Sequence, residues 1–203
     1  MRGLLLFMAG AVVLMAGKYD KVKITPEISY IYVYHKGKAV KIHRIQDTKN
    51  KLTGEYAKTY RPGTDIQPID LKNGVETIGE VELLYFLKDK VNKKDGLLVD
   101  LRDKSYYKKE SIPGAVNIPF STIHNHEKME KIIKVLGAKR RADGSLDTKH
   151  ARTVTFYCHG LWCSKSAEFI EAFLKLGYPA DKILYYRGGF QMWKILGFTT
   201  VTN

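Results

Sequence analysis

The stretch that decides the fold runs Val154-Thr-Phe-Tyr-Cys158-His-Gly-Leu-Trp-Cys163-Ser-Lys-Ser-Ala-Glu-Phe-Ile170-Glu-Ala-Phe-Leu-Lys-Leu176-Gly177. It opens on a β-branched and aromatic run that reads as a buried strand. Over residues 164–176, Ala167, Phe169, Ile170, Phe173 and Leu174 recur at helical spacing, and Gly177 stands where a C-terminal cap belongs. A strand that feeds through a short loop into a helix is half of a parallel-sheet unit.

The same rhythm continues on both sides. Downstream, Ile183-Leu-Tyr-Tyr186 reads as a strand and residues 189–196 as a final helix. Upstream, Asp95-Gly96 introduces the apolar strand Leu97-Leu-Val-Asp100, and Ala115-Val-Asn-Ile118 is a further short strand before Pro119. Thr77-Ile-Gly-Glu80 has the form of a capping box for a helix bearing Val81, Leu83, Leu84, Phe86 and Leu87 and ending near Lys90. Residues 140–150 are polar around Asp143-Gly144 and read as a surface insertion. Alternating strands and helices predict an α/β fold with a central, mostly parallel sheet covered by helices on both faces.

Ahead of this domain, two strand-like runs at residues 28–34 and 39–45 flank Lys36-Gly37-Lys38 and predict a hairpin. The tyrosines between Tyr19 and Tyr60 are read as strand packing. Residues 46–75 carry Pro62-Gly63, Pro68 and Asn73-Gly74 with little apolar periodicity, and read as a long loop or arm. The chain thus divides into a leader (1–17), a small β-rich N-terminal extension (18–75) and the α/β domain (76–203).

The leader has Arg2 followed by an apolar run from Leu4 to Ala16. That is the pattern of a secretory signal and is shorter than a bilayer-spanning helix, which needs about 20 residues. The expected location is periplasmic or otherwise exported, with membrane attachment only if the segment stays uncleaved. An exported protein meets an oxidising compartment, where nearby thiols can pair.

Composition narrows the function. The 203 residues are 44% hydrophobic and 27% charged, which excludes a disordered, collagen-like or polytopic membrane chain. The formal net charge of +13 is spread along the chain without an arginine-rich arm, so no nucleic-acid partner is expected. A basic surface favours small anionic substrates. The only two cysteines, Cys158 and Cys163, share one short window, too few for a disulfide scaffold or a four-cysteine zinc site.

In a parallel sheet the ligand site lies beyond the carboxyl ends of the strands, and Cys158 stands there on its own strand. Loop amides and the following helix dipole favour a thiolate or a persulfide at that point. Gly160 frees the loop conformation, and Ser164 is placed to cap the helix. Zinc binding by Cys158, His159 and Cys163 lacks a fourth ligand, so no metal or other cofactor is expected. Phosphatase chemistry needs an arginine after five residues, where this chain has Ser164.

With these residues, Leu98-Val-Asp-Leu-Arg-Asp103, Ser111-Ile-Pro-Gly-Ala-Val-Asn-Ile-Pro119, Phe156-Tyr-Cys158, Leu176-Gly-Tyr178 and Tyr186-Arg-Gly-Gly-Phe-Gln-Met-Trp193, the chain resembles the rhodanese-like domain family. The resemblance implies a sulfurtransferase whose active cysteine, here Cys158, accepts sulfane sulfur as a persulfide. It implies a small anionic donor (thiosulfate, polysulfide or persulfide) and a thiol or protein acceptor. Asp100 and Arg102 match strand-end residues that support the site, and the Gly188-Gly189 turn is expected to bring Arg187 toward it. The substrate-binding loop is His159, Gly160, Leu161, Trp162, Cys163, Ser164 and Lys165.

This loop departs from the family. Seven residues precede Ser166-Ala167 where five are usual, and none is arginine. A roomier pocket is expected, with weaker grounds for thiosulfate as donor. Positive charge is expected from Lys165, His159 and Arg187 instead. Trp162 is placed to close over the sulfur. Cys163 has two readings, a resolving thiol for Cys158 or a small buried hydrophobe. The alternative function is a non-enzymatic redox-sensing or binding module built on the Cys158/Cys163 dithiol-disulfide pair.

Overall fold

The computed structural model describes residues 21–203. The leader over residues 1–17, and the export inferred from it, lie outside them. Among the described residues no helix is long and apolar enough to cross a membrane.

Strands β1 (Tyr30–His35) and β2 (Lys38–His43) pair antiparallel through Lys36 and Gly37, both at positive φ, 49° and 79°. Two successive positive φ values form the tight turn whose twist suits a hairpin. Ile31, Val33 and Ile42 face the core, whereas Tyr30, Tyr32 and Tyr34 are exposed. These tyrosines therefore do not pack inward as expected: the strict alternation of the strand assigns the inner face to the aliphatic residues.

The main sheet has five strands in the order β3-β9-β8-β4-β5, every neighbouring pair parallel. They are β3 (Glu76–Ile78), β4 (Gly96–Asp100), β5 (Ala115–Asn117), β8 (Thr153–Tyr157) and β9 (Ile183–Tyr186). The edge strand β3 replaces part of the expected capping box. Thr77 pairs with Tyr185 and its hydroxyl bonds the Ile69 carbonyl, so Gly79 rather than Thr77 precedes helix α1 (Glu80–Phe86), which continues as a wider turn to Val91.

Alternation along the strands divides the core into two layers. Leu98, Tyr157 and Tyr186 join the hairpin, α1 and helix α5 (Gly189–Ile195) on one face. Val99, Phe156 and Tyr185 join helices α3 (His126–Val135) and α4 (Lys165–Lys175) on the other. Helix α3 and the shorter α2 (Lys104–Lys109) lie in stretches with no expected element. The insertion at 140–150 carries a two-residue hairpin, β6 (Lys139–Arg140) with β7 (Leu146–Asp147). Residues 46–75 are irregular apart from one tight turn at Gly54–Ala57. They cross the carboxyl end of the sheet.

Candidate functional site

Strands β4 and β8 are in register, Asp100 opposite Tyr157, so they finish together. Beyond β4 the chain places an ion pair. Arg102 Nε lies 2.9 Å from Asp100 Oδ1 and Arg102 Nη2 lies 2.5 Å from Oδ2, with both side chains buried. The Tyr157 hydroxyl donates to Asp100 Oδ2 at 2.7 Å, and Arg102 Nη2 also donates to the Glu110 carbonyl. Asp100 and Arg102 therefore brace the strand ends and leave their charges matched.

Beyond β8 the chain places the cysteines. Cys158 is 2% exposed and Cys163 7%. The loop turns back on itself, with the Cys163 amide donating to the Gly160 carbonyl at 3.0 Å, and this carries Cys163 Sγ to 2.8 Å from Cys158 Sγ. No disulfide joins them. The two thiols are hydrogen-bonded to each other. Burial pushes the Cys158 thiol well above its ordinary range, and the neighbouring Cys163 sulfur pushes it further. Cys163 is drawn well down, first by its hydrogen bond with Cys158 and then by the His159 and Lys165 amides and the Lys165 charge. Of the two thiols, Cys163 is the one whose surroundings favour ionisation.

Cys163 also lines an open cleft of about 470 Å³, together with His159, Trp162, Ser164 and Lys165. Cys158 does not. The opposite wall comes from the arm: Glu55, Gly63, Thr64, Asp65 and Gln67.

Each remaining loop residue has a defined place. His159 stacks on Trp162, meets Tyr106 edge-on and lies 3.3 Å through Nδ1 from the Tyr56 hydroxyl. Burial, then the Arg102 and Lys165 charges, lower its pKa to about 4, so His159 is neutral at physiological pH and is not the source of positive charge expected of it. Gly160 is required by crowding: a Cβ there would stand 2.8 Å from Gln191 Oε1. The Leu161 carbonyl accepts from the Gln67 amide at 2.8 Å. Trp162 donates from Nε1 to Gln191 Oε1 and carries the Arg61 guanidinium 3.9 Å over its ring. Ser164 precedes α4, but its side chain makes no capping bond.

Lys165 lines the cleft as expected, whereas Arg187 does not. Arg187 Nε donates to the Gln67 carbonyl at 2.7 Å and pins the arm. The Gly188-Gly189 turn acts on the loop directly. Gly189 has φ +60°, and a Cβ there would stand 2.7 Å from both the Cys158 oxygen and the Gly160 nitrogen. The Phe190 and Gln191 amides then donate to the Cys158 and His159 carbonyls.

The sequence reading missed the arm. Tyr56 accepts from Arg102 Nη1 at 2.7 Å, faces His159, and its carbonyl receives Gln191 Nε2. Burial lifts its pKa to about 12, so its hydroxyl keeps a proton for His159 Nδ1. Arg61, Gln67, Tyr106 and Asp103 complete the surroundings. These contacts span long sequence separations and leave no local pattern. Electrostatically the cleft is mixed: Asp65, Asp103 and Glu55 face Lys165, and Glu55 is paired with Lys58 and Arg61. Among the described residues no cluster of His, Cys, Asp and Glu is placed to hold a metal ion.

Comparison with known proteins places this geometry. The family model described as a rhodanese-like domain matches residues 84–196. Solved structures that align include a rhodanese-related protein from Thermoplasma volcanium, at 21% identity over 63% of this chain and 98% of that one, with a TM-score of 0.40. A rhodanese with anions from E. coli aligns at 21% identity over 53% of this chain and 99% of that one, TM-score 0.36. A thiosulfate sulfurtransferase from Pseudomonas aeruginosa aligns at 17% identity over 64% of this chain and 21% of that one, TM-score 0.46. No curated protein matches.

Proposed function

Because the chain belongs to the rhodanese-like domain family, we propose that it is a sulfurtransferase or sulfane-sulfur carrier that forms a persulfide on Cys158 and passes the sulfur to a thiol or other thiophilic acceptor. The observation that carries this reading is the buried sulfur pair, 2.8 Å apart, whose second member opens onto a cleft. As a thiolate, Cys158 is a nucleophile for the terminal sulfur of a donor, and the His159 amide favours negative charge on its sulfur. The family's usual carrier is the strand-end cysteine, here Cys158.

The cleft refines the donor. Asp65 and Asp103 face the same space as Lys165, so a doubly charged thiosulfate gains little from the walls, and a polysulfide or an organic persulfide suits them better. The acceptor is a thiol, free or protein-borne. The proposed setting is an exported one, where the pair can also cycle between dithiol and disulfide.

Cyanolysis tests the reading. Thiocyanate production should run faster with inorganic polysulfide than with thiosulfate, and Cys158→Ser should reduce it to the uncatalysed background. Equal rates in wild type and Cys158→Ser with every donor would remove sulfur transfer and favour the purely redox role of the pair.

A further inference from the structure

Alternation along β1 sets Tyr30, Tyr32 and Tyr34 side by side on the outer face of the hairpin, 48%, 53% and 61% exposed. Their cross-strand neighbours are His43, Lys41 and Ala39, and Lys41 Nζ stands 4.2 Å from the centre of the Tyr30 ring. Lys36 and Lys38, at the turn, are exposed as well. The fold draws its packing from the other face, through Ile31, Val33 and Ile42. The hairpin lies ahead of the family match, which begins at residue 84, and none of its residues lines the cleft.

Two features say what covers this face. The first is charge. Residues 28–45 contain four lysines and arginines and no aspartate or glutamate, so the hairpin attracts an anionic surface with no acid of its own to oppose it. The second is where the leader joins. The Val22 amide donates to Gln46 Oε1 and its carbonyl accepts from Gln46 Nε2, both at 2.9 Å. These bonds fix the start of the described chain at the open end of the hairpin, just past β2. Ala16 closes the apolar run of the leader, and Lys21 lies at most about 17 Å from it, because a chain extends by no more than about 3.4 Å per residue. A leader that enters a bilayer therefore brings the hairpin to the headgroups. Tyrosine suits that depth, with an apolar ring and a polar hydroxyl.

We propose that the outer face of the β1–β2 hairpin docks on an anionic lipid surface, with Tyr30, Tyr32 and Tyr34 in the headgroup layer and Lys36, Lys38 and Lys41 on the lipid phosphates. Each lysine at such a surface strengthens partition roughly fivefold, so the three together contribute roughly a hundredfold, and salt screens most of it. The apolar run of the leader is shorter than a bilayer span. A short apolar segment alone holds a membrane weakly, as a single acyl chain does, and firm attachment takes a second signal. The hairpin supplies that signal.

The test uses the full chain with two kinds of vesicle, phosphatidylcholine alone and an equal mixture of phosphatidylcholine and phosphatidylglycerol. Flotation reads binding, and lysine acylation followed by mass spectrometry reads which side chains are covered. On the mixed vesicles Lys38 and Lys41 should react roughly fivefold more slowly than in solution, and about 1 M salt should restore them. Lys128 and Lys131, on α3 at the opposite face of the sheet, should keep their reactivity. Tyr30→Thr, Tyr32→Thr and Tyr34→Thr combined keep the strand's β-branched character and should abolish the protection. Lys38→Gln with Lys41→Gln, at two exposed positions, should lower partition onto the mixed vesicles roughly tenfold and leave that onto phosphatidylcholine unchanged. Flotation with the hairpin lysines as reactive as in solution would mean that the leader alone holds the chain. Equal protection on both kinds of vesicle would remove the role of charge, and no flotation with either would give the face to a protein partner instead. Each of these three results overturns the assignment.

Discussion

Strands β4 and β8 lie side by side and end level, yet the side-chain pairs beyond their ends are opposite in kind. After β4 comes Asp100 with Arg102, two opposite charges in contact, with Asp100 Oδ1 also accepting from the Arg102 amide, Oδ2 from Tyr157, and the guanidinium also donating to Tyr56 and the Glu110 carbonyl. After β8 comes Cys158 with Cys163, two thiols in contact, the second of which lines an open cleft. Burial is nearly the same in the two pairs. The difference is whether the pair is closed on itself: Arg102 also lines a cavity, but its charge is matched by Asp100, whereas Cys163 brings a free thiol sulfur to its cleft. A closed pair has no unspent reactivity and serves as a brace, whereas an open one has a face on which a new bond can form.

The largest test of that contrast is stability. Arg102→Ala leaves Asp100 buried without its partner and should destabilise the protein by about 3–5 kcal/mol in denaturant unfolding. Cys163→Ser should change stability by about 1 kcal/mol or less. Similar losses from both would erase the distinction between brace and reactive centre.

A smaller effect reads the wall between the pairs. His159 keeps a folded pKa near 4 against an ordinary 6.5. Below about pH 6.5 the unfolded chain therefore takes up a proton that the folded chain refuses, and stability falls as the pH drops toward 4, by up to roughly 3 kcal/mol. His159→Gln should flatten the pH dependence of the unfolding free energy across that window. An unchanged slope would show that the imidazole is solvated.

The smallest effect concerns Tyr56, whose hydroxyl joins Arg102 of the closed pair to His159 beside the open one. Tyr56→Phe keeps the ring packing on Phe190 and removes both bonds. It should cost about 1–2 kcal/mol in unfolding. It should also raise the His159 pKa, because the ring nitrogen loses its donor and becomes easier to protonate; two-dimensional NMR of the imidazole reads this directly.

How much of the molecule is legible in its sequence depends on the range of the interactions involved. The strand-loop-helix unit around Cys158 is local, and its apolar spacing and Gly177 fix it without reference to the rest of the chain. The same local reading fails at Thr77-Ile-Gly-Glu80, where a capping pattern coincides with an edge strand that only β9 can stabilise. The sequence separation between Tyr56 and His159 is 103 residues, so no window contains that contact. The loop's missing arginine is visible in the sequence, but its consequence is not. Arg61, from the arm, lies on Trp162, with its charge committed to Glu55. The tyrosines of β1 fail for another reason: composition gives a strand its propensity, and register decides which residues it hides.

The arm has one more consequence. It is tied to the loop by the Gln67 amide on the Leu161 carbonyl and to the sheet by Arg187 on the Gln67 carbonyl. One wall of the cleft is therefore held by hydrogen bonds to the other. Occupancy and arm order are then one linked equilibrium: a molecule that touches both Cys163 and Thr64 strengthens the tether by the same free energy with which the tether strengthens its binding. The family match begins at residue 84, beyond the arm. One wall of the cleft therefore lies within the matched domain and the other outside it.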